Sequence, residues 1–242
     1  MSQDVAVITG SSGGIGRAIA KVLSEKSSGE LRLGLHYKGN AEAAKALHSE
    51  IPNSFLIQAD LSTSVGRGAL LEACLKEGNP YILVNNAGID KPHEPALNIR
   101  EDSLDLILGV NFKTPALLMR DFAKEMIKSG SGVIVNVSSI LAKKALTGSA
   151  VYRASKAALE ALTKQLAFEW GPKGVRVNAV SPGFIETAMT ETIGPETRNL
   201  IRQEIALGQF GAAEAVALAV AHLIENDYLN GAVLSVDGGM RL

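Results

Sequence analysis

Seven short runs of residues along the chain are too uniformly apolar to have one wet face. They are 5–9 (VAVIT), 31–37 (LRLGLHY), 54–59 (SFLIQA), 81–85 (YILVN), 132–137 (GVIVNV), 175–180 (VRVNAV) and 232–236 (AVLSV). A strand with one solvated face alternates apolar and polar residues, whereas a strand covered on both faces, as in a parallel sheet, does not. Between these runs lie longer stretches with helical period: 14–26 (GIGRAIAKVLSEK), 41–50 (AEAAKALHSE), 103–128 (SLDLILGVNFKTPALLMRDFAKEMIK) and 151–170 (VYRASKAALEALTKQLAFEW). Strands alternating with helices predict an α/β domain, doubly wound, with a seven-stranded parallel sheet flanked by helices. No Pro/Ser-rich linker, internal repeat or low-complexity tract divides residues 1–242, so one domain is expected.

Composition narrows the partners. Of 242 residues 46% are hydrophobic, ample for a large core, and 24 basic against 25 acidic residues leave a net charge of −1. Nothing in that balance draws the chain to nucleic acid or an anionic membrane. The single cysteine, Cys74, can form neither an intrachain disulfide nor a metal cluster, and in LLEACLKE it reads as a small buried hydrophobe. No run of about 18 apolar residues marks a membrane span, and the start MSQDVAVITG lacks the basic end and apolar run of a secretory signal. A cytoplasmic protein is the expectation. His36, His48, His93 and His222 are scattered without metal-ligand spacing, so no metal site is expected.

The first apolar run ends in TGSSGGIG, with Gly10, Gly14 and Gly16 between strand and helix. Glycines there permit tight backbone angles and close approach of a ligand. The helix that follows aims unpaired N–H groups and the positive end of its dipole at the same spot, which suits a pyrophosphate. A second pattern opens the helix at 151–170. Tyr152 and Lys156 are one turn apart and share a helix face. A free tyrosine titrates near pKa ~10, and a neighbouring ammonium lowers that value toward useful acid–base chemistry. Taken alone, Y-x-x-x-K reads equally as a surface tyrosine beside a solvated lysine.

T-G-x-x-x-G-x-G resembles the nucleotide loop of the short-chain dehydrogenases/reductases, and three more features match. NNAG (85–88) follows the fourth run, Ser139 precedes Tyr152 by thirteen residues with Lys156 four beyond it, and SPGFIET (181–187) follows the sixth run. The resemblance extends along essentially the whole chain to LSVDGGM (234–240) and implies a Rossmann-type fold. It implies four catalytic residues. Tyr152 is the general acid/base, and Lys156 binds the nicotinamide ribose while lowering the tyrosine pKa. Ser139 holds the substrate carbonyl, and Asn111 in LGVNFKT keeps a water-linked proton path. It also implies dinucleotide contacts from Gly10, Ser12, Gly14, Ile15, Gly16, Tyr37, Lys38, Asp60, Leu61, Asn85, Ala87, Gly88, Tyr152, Lys156, Pro182, Gly183, Ile185 and Thr187. Asp60 would meet the adenine amino group, or equally serve as a helix N-terminal acid. Asn85 and Gly88 could be purely structural.

Dinucleotide folds specific for NAD place an acid about 20 residues beyond the glycines, on the ribose 2′-OH. Here that region reads His36-Tyr37-Lys38, without an acid. Lys38 would attract a 2′-phosphate, so NADPH/NADP+ is the expected cofactor; alternatively Lys38 is a solvated loop cation, and Gly13 stands where NADPH-preferring relatives often carry a basic residue. Within the family, 174–193 and the ending VDGGM look most like the 3-oxoacyl-acyl-carrier-protein reductases, which reduce a 3-keto thioester. That resemblance implies an acyl thioester substrate on acyl carrier protein or CoA, in fatty acid or polyketide synthesis. It places Lys173 at one of two basic positions near the site mouth, the other falling on Gly130 with Lys128 nearby. It also implies a mobile substrate lid over 188–205 and a homotetramer, or a hetero-oligomer with a related subunit. The alternatives are a dehydrogenase of sugars, polyols or steroids, and a silent nucleotide-binding subunit.

Overall fold

The computed structural model describes residues 3–90 and 93–240. Its sheet has seven parallel strands: β1 (Asp4–Ile8), β2 (Arg32–Tyr37), β3 (Ser54–Gln58), β4 (Asn79–Asn85), β5 (Gly132–Val137), β6 (Val175–Pro182) and β7 (Val233–Val236), in the order β3-β2-β1-β4-β5-β6-β7. The chain winds outward from β1 to β3, then returns to place β4 on the other side of β1. The crevice at that reversal, beyond the strand C-termini, is where such sheets accept ligands.

Both sheet faces are covered. In β1, Ala6 and Ile8 pack with Ile19 and Leu23 of α1 (Gly14–Lys26), Leu47 of α2 (Ala41–Glu50), and Val216 and Val220 from a late helix, 213–225. Val5 and Val7 face the other way, onto Leu70 and Cys74 of α3 (Ser64–Glu77) and onto Leu118, Phe122 and Leu159 from two long helices. Both sets are essentially free of solvent, as the unbroken apolar runs require. Each fully buried Ile, Leu or Phe contributes roughly 1.5–3 kcal/mol.

The stretch expected as one helix over 103–128 is broken. α4 (Glu101–Leu108) passes into a wide π turn (Gly109–Lys113) before α5 (Thr114–Ser129) begins. Pro115 has no N–H to donate back into the preceding turn, so the ladder must be renegotiated there. That renegotiation turns Asn111 inward. The helix that carries Tyr152 and Lys156, α6 (Ala150–Trp170), is unbroken over 21 residues. Beyond β6 come α7 (Ala188–Glu191), α8 (Pro195–Glu204) and α9 (Ala213–Glu225). Among the described residues no helix is long and apolar enough to cross a membrane, and no group of three His, Cys, Asp or Glu could hold a metal.

Candidate active site

Beyond the C-terminal ends of β1, β4, β5 and β6 lies a cleft of about 830 Å3. Its first wall is the glycine loop. Thr9 leaves the strand one residue before the sequence pattern predicts, because its hydroxyl accepts from the backbone N–H groups of Asn86 (2.9 Å) and Ala87 (3.0 Å). The Asn86 side chain donates to the carbonyls of Thr9 (2.9 Å) and Gly10 (3.2 Å). A Cβ on Gly16 would sit 2.4 Å from the Gly10 carbonyl oxygen, so only glycine lets α1 start this close to the strand. Gly13 caps α1 without a side-chain hydrogen bond. The first-turn amides therefore remain for a bound anion.

His36 holds the other side of this loop. Its Nδ1 accepts from the Gly10 N–H at 3.0 Å, which leaves Nε2–H to donate to the Ala59 carbonyl at 3.0 Å. Burial depresses its pKa, and the Nδ1 bond needs the neutral ring. The Ser11 N–H and hydroxyl also reach the His36 carbonyl, at 2.9 and 3.1 Å. The sequence alone does not single out His36 or Asn86. The available signals were a histidine ending a buried strand and a second asparagine in NNAG.

Of the residues implicated by resemblance, Gly10, Ser12, Gly14, Ile15, Gly16, Lys38, Asp60, Leu61, Ala87, Gly88, Ser139, Tyr152, Lys156, Pro182, Gly183, Ile185 and Thr187 line this one cleft. Three do not. Tyr37 is buried in β2. Asn85 pairs with Asn136 across β4 and β5, donating to its Oδ1 at 2.9 Å, and Asn136 passes a donor on to Thr163 at 2.9 Å. Asn111 lies just behind the cleft wall. Its Oδ1 accepts from the Ile89 N–H (2.9 Å), while Nδ2 donates to the Ile89 carbonyl (2.7 Å) and to the Ser155 hydroxyl (3.3 Å). It thereby clamps the loop after β4 onto α6.

Four groups converge at the inner end. Ser139, on the turn that leaves β5, hydrogen-bonds the Tyr152 phenol. Lys156 Nζ lies 5.8 Å from the centre of the tyrosine ring and donates to the Val137 carbonyl at 2.8 Å. Gly88 closes the group: a Cβ there would meet Asn111 Oδ1 at 3.2 Å and Lys156 Nζ at 3.5 Å. One expectation is corrected. The Tyr152 pKa is pushed up to about 12, because burial outweighs the Ser139 hydrogen bond and Asp90 adds repulsion. Lys156 does not lower it here. Its ammonium is itself buried, which brings its pKa down to about 8.

At the outer end, β2 finishes without an acid and Lys38 pairs with Asp60 across 2.9 Å. The basic residues expected near the mouth lie elsewhere within this chain. Lys173 and Gly130 precede β6 and β5, and Lys128 is paired with Glu125 at 2.8 Å. In a parallel sheet, residues that precede strands sit at the edge opposite the strand C-termini, so these lie across the sheet from the cleft. The expected lid corresponds to α7 and α8. Arg198 of α8 bonds both Glu186 carboxylate oxygens (2.6 and 2.7 Å) and stacks 4.5 Å above the Phe210 ring.

The fit of a dinucleotide can be tested at Gly14. A Cβ there would stand 2.7 Å from the Thr187 Cγ2, so loop and post-β6 segment are already in contact distance across the cleft. Gly14→Ala is expected to weaken dinucleotide binding at least about tenfold by forcing the two apart, with a small loss of Tm, since relieving the close contact outweighs the helix propensity an alanine gains. Adding Thr187→Ser removes the obstructing methyl and is expected to restore binding in part, since Cβ of residue 187 still lies 3.1 Å from the added methyl. Titration of dinucleotide fluorescence with the two variants checks both.

The profile of a family described as enoyl-(acyl carrier protein) reductase matches residues 10–241. A curated 3-oxoacyl-acyl-carrier-protein reductase of Rickettsia bellii is 36% identical over 242 residues, covering 99% of this chain and 98% of the relative. Two solved structures superpose closely. A ribose-5-phosphate isomerase of Brucella melitensis has a TM-score of 0.88 and 30% identity, covering 97% of this chain and 91% of its own. A candidate gluconate dehydrogenase from Agrobacterium tumefaciens has a TM-score of 0.92 and 26% identity, covering 98% and 95%. The range of activities in these names shows that the fold does not choose the substrate.

Proposed function

The chain belongs to the short-chain dehydrogenase/reductase family, and from that premise we propose that it is an NADPH-dependent ketoreductase that converts a 3-oxoacyl thioester, carried by acyl carrier protein or CoA, to the 3-hydroxyacyl thioester. The observation that carries this reading is the convergence of Ser139, Tyr152 and Lys156, backed by Asn111, at the inner end of a cleft whose outer end is a glycine cradle. The curated relative of Rickettsia bellii supports the substrate class.

The geometry supports the following roles. The backbone amides of Gly14, Ile15 and Gly16 would hold the pyrophosphate, and Lys156 the nicotinamide ribose. Pro182 to Thr187 would orient the nicotinamide ring. When bound, the nicotinamide supplies a hydride to the carbonyl carbon. Ser139 and Tyr152 both present hydroxyls to the carbonyl oxygen, where negative charge develops as the C=O π bond opens. Tyr152 gives its phenolic proton to that oxygen, leaving a C–OH product and a phenolate beside the Lys156 ammonium and the Ser139 hydroxyl. The phenolate recovers a proton from the Lys156 side, while Asn111 holds the loop after β4 against α6. A phenol with a pKa near 12 is fully protonated at neutral pH. It is ready to donate to an alkoxide, which is far more basic.

The test is consumption of NADPH with acetoacetyl-CoA and with a carrier-bound 3-oxoacyl chain. Turnover with NADPH, and more efficient than with NADH, is expected. Equal or better efficiency with NADH would overturn the NADPH assignment. Turnover of polyols or sugars but of no thioester would overturn the substrate class.

A further inference from the structure

The outer end of the cleft is electrically unusual. Four charged side chains line the cleft among the described residues, Lys38 and Lys156 against Asp60 and Asp90. Lys156 lies beside Tyr152, and Asp90 acts electrostatically on the same tyrosine. Lys38 and Asp60 are left to neutralise one another at the opposite end. Asp60 is held in place: its Oδ1 accepts from the Ser62 N–H (3.0 Å) and the Ser62 hydroxyl (2.7 Å), which leaves Oδ2 for Lys38 Nζ at 2.9 Å. Lys38 reaches across on a flexible stem with its side chain 69% exposed, so Lys38 is the partner free to move.

We propose that Asp60 sets how strongly the protein distinguishes a 2′-phosphorylated dinucleotide from an unphosphorylated one, by competing with the 2′-phosphate for Lys38. This rests on the NADPH reading above. A phosphate carries about −1.5 to −2 charge at neutral pH. To meet it, Lys38 must leave Asp60 or share its three donors between two anions. Either way the arriving phosphate finds a neutral pair, where a lone cation would have attracted it outright. One exposed ion pair is exchanged for another, and the net gain is small. An unphosphorylated ribose makes no such demand, so the Lys38–Asp60 pair survives its binding. Sequence position alone assigns Lys38 to the phosphate. The pairing shows that its charge is already spoken for.

Asp60→Asn keeps an oxygen for the Ser62 contacts and removes the charge that competes for Lys38. The ratio of NADPH to NADH affinity is expected to rise roughly two- to fivefold, the scale of one exposed ion pair. Lys38→Gln is expected to lower the ratio, because Asp60 then faces the phosphate alone. The ratio cancels any contact Asp60 makes with the parts common to both dinucleotides. Direct binding by cofactor fluorescence, on the wild type, both single variants and the double variant, reads it without turnover. Thermal melts verify that each variant is folded.

A rise with Asp60→Asn that disappears when Lys38→Gln is also present supports the competition. A ratio unmoved by Asp60→Asn, while Lys38→Gln weakens NADPH, overturns the competition and leaves the NADPH reading standing. If NADH binds as tightly as NADPH and neither variant moves the ratio, the NADPH reading falls and the competition with it.

Discussion

Tyr152→Phe is expected to lower the rate of ketone reduction by about 10²- to 10⁴-fold, the usual weight of a general acid, while dinucleotide binding stays within about twofold of wild type. The change removes one oxygen and keeps the ring, so the packing of α6 against the cleft is undisturbed. The ring makes no hydrogen bond of its own, and the lost group is the one Ser139 touches. On the free-energy scale the loss corresponds to about 3–5 kcal/mol of transition-state stabilisation. Single-turnover reduction, with bound NADPH followed by its fluorescence, separates the chemical step from binding. A fall in rate below about tenfold would mean that the alkoxide takes its proton from elsewhere, and Tyr152 would lose its role. The same pair of measurements excludes a silent nucleotide-binding subunit. Such a protein binds NADPH with Tyr152 present or absent, and turns over nothing in either case.

Much of this site was legible because its signals are local. The glycine loop depends on a strand, three glycines and a helix start within a dozen residues, and Tyr152 and Lys156 are joined by one helical turn. The parallel sheet was legible from strands such as β5, apolar throughout and buried at every position. What escaped depends on contacts between distant residues. That Lys38 spends its charge on Asp60 needs β2 and β3 to lie side by side. That the tyrosine pKa rises when its neighbour is a lysine needs the depth of the cleft, which no i,i+4 spacing records. In the sequence His36 is one of four scattered histidines, yet its ring bridges the glycine loop and the end of β3. The direction of the strands also matters: Lys173, and Gly130 with Lys128 nearby, precede β6 and β5 and so lie at the edge of this chain opposite the cleft. The break in the helix at 109–113 stands between these cases: Pro115 announced it, but not that the turn would widen and not where Asn111 would point.

Lys156→Met is expected to abolish reduction and, at the same time, to make the cofactor-free protein more stable at neutral pH. The lysine is 5% exposed and its ammonium bonds the Val137 carbonyl, with no carboxylate in salt-bridge contact among the described residues. Burial brings its pKa from 10.5 down to about 8. At about 1.4 kcal/mol per pKa unit, holding this charge in the fold costs on the order of 3 kcal/mol. Methionine keeps the length and discards the charge; after the lost hydrogen bond, a gain of roughly 1–3 kcal/mol remains, or about 2–10 °C in Tm. The pH dependence fixes the cause. Below pH 8 the lysine is charged both folded and unfolded, and the cost is constant. Between about pH 8 and 10.5 the unfolded chain holds the proton that the folded protein has released, so wild-type stability climbs with pH. The advantage of Lys156→Met should therefore be full at pH 7 and shrink toward pH 10. Over the same range wild-type reduction should fall as the ammonium is lost. Thermal melts of both proteins at the two pH values give the answer: a variant less stable than wild type at pH 7 would make Lys156 a keystone of the fold rather than a charge kept at the expense of stability for the reaction.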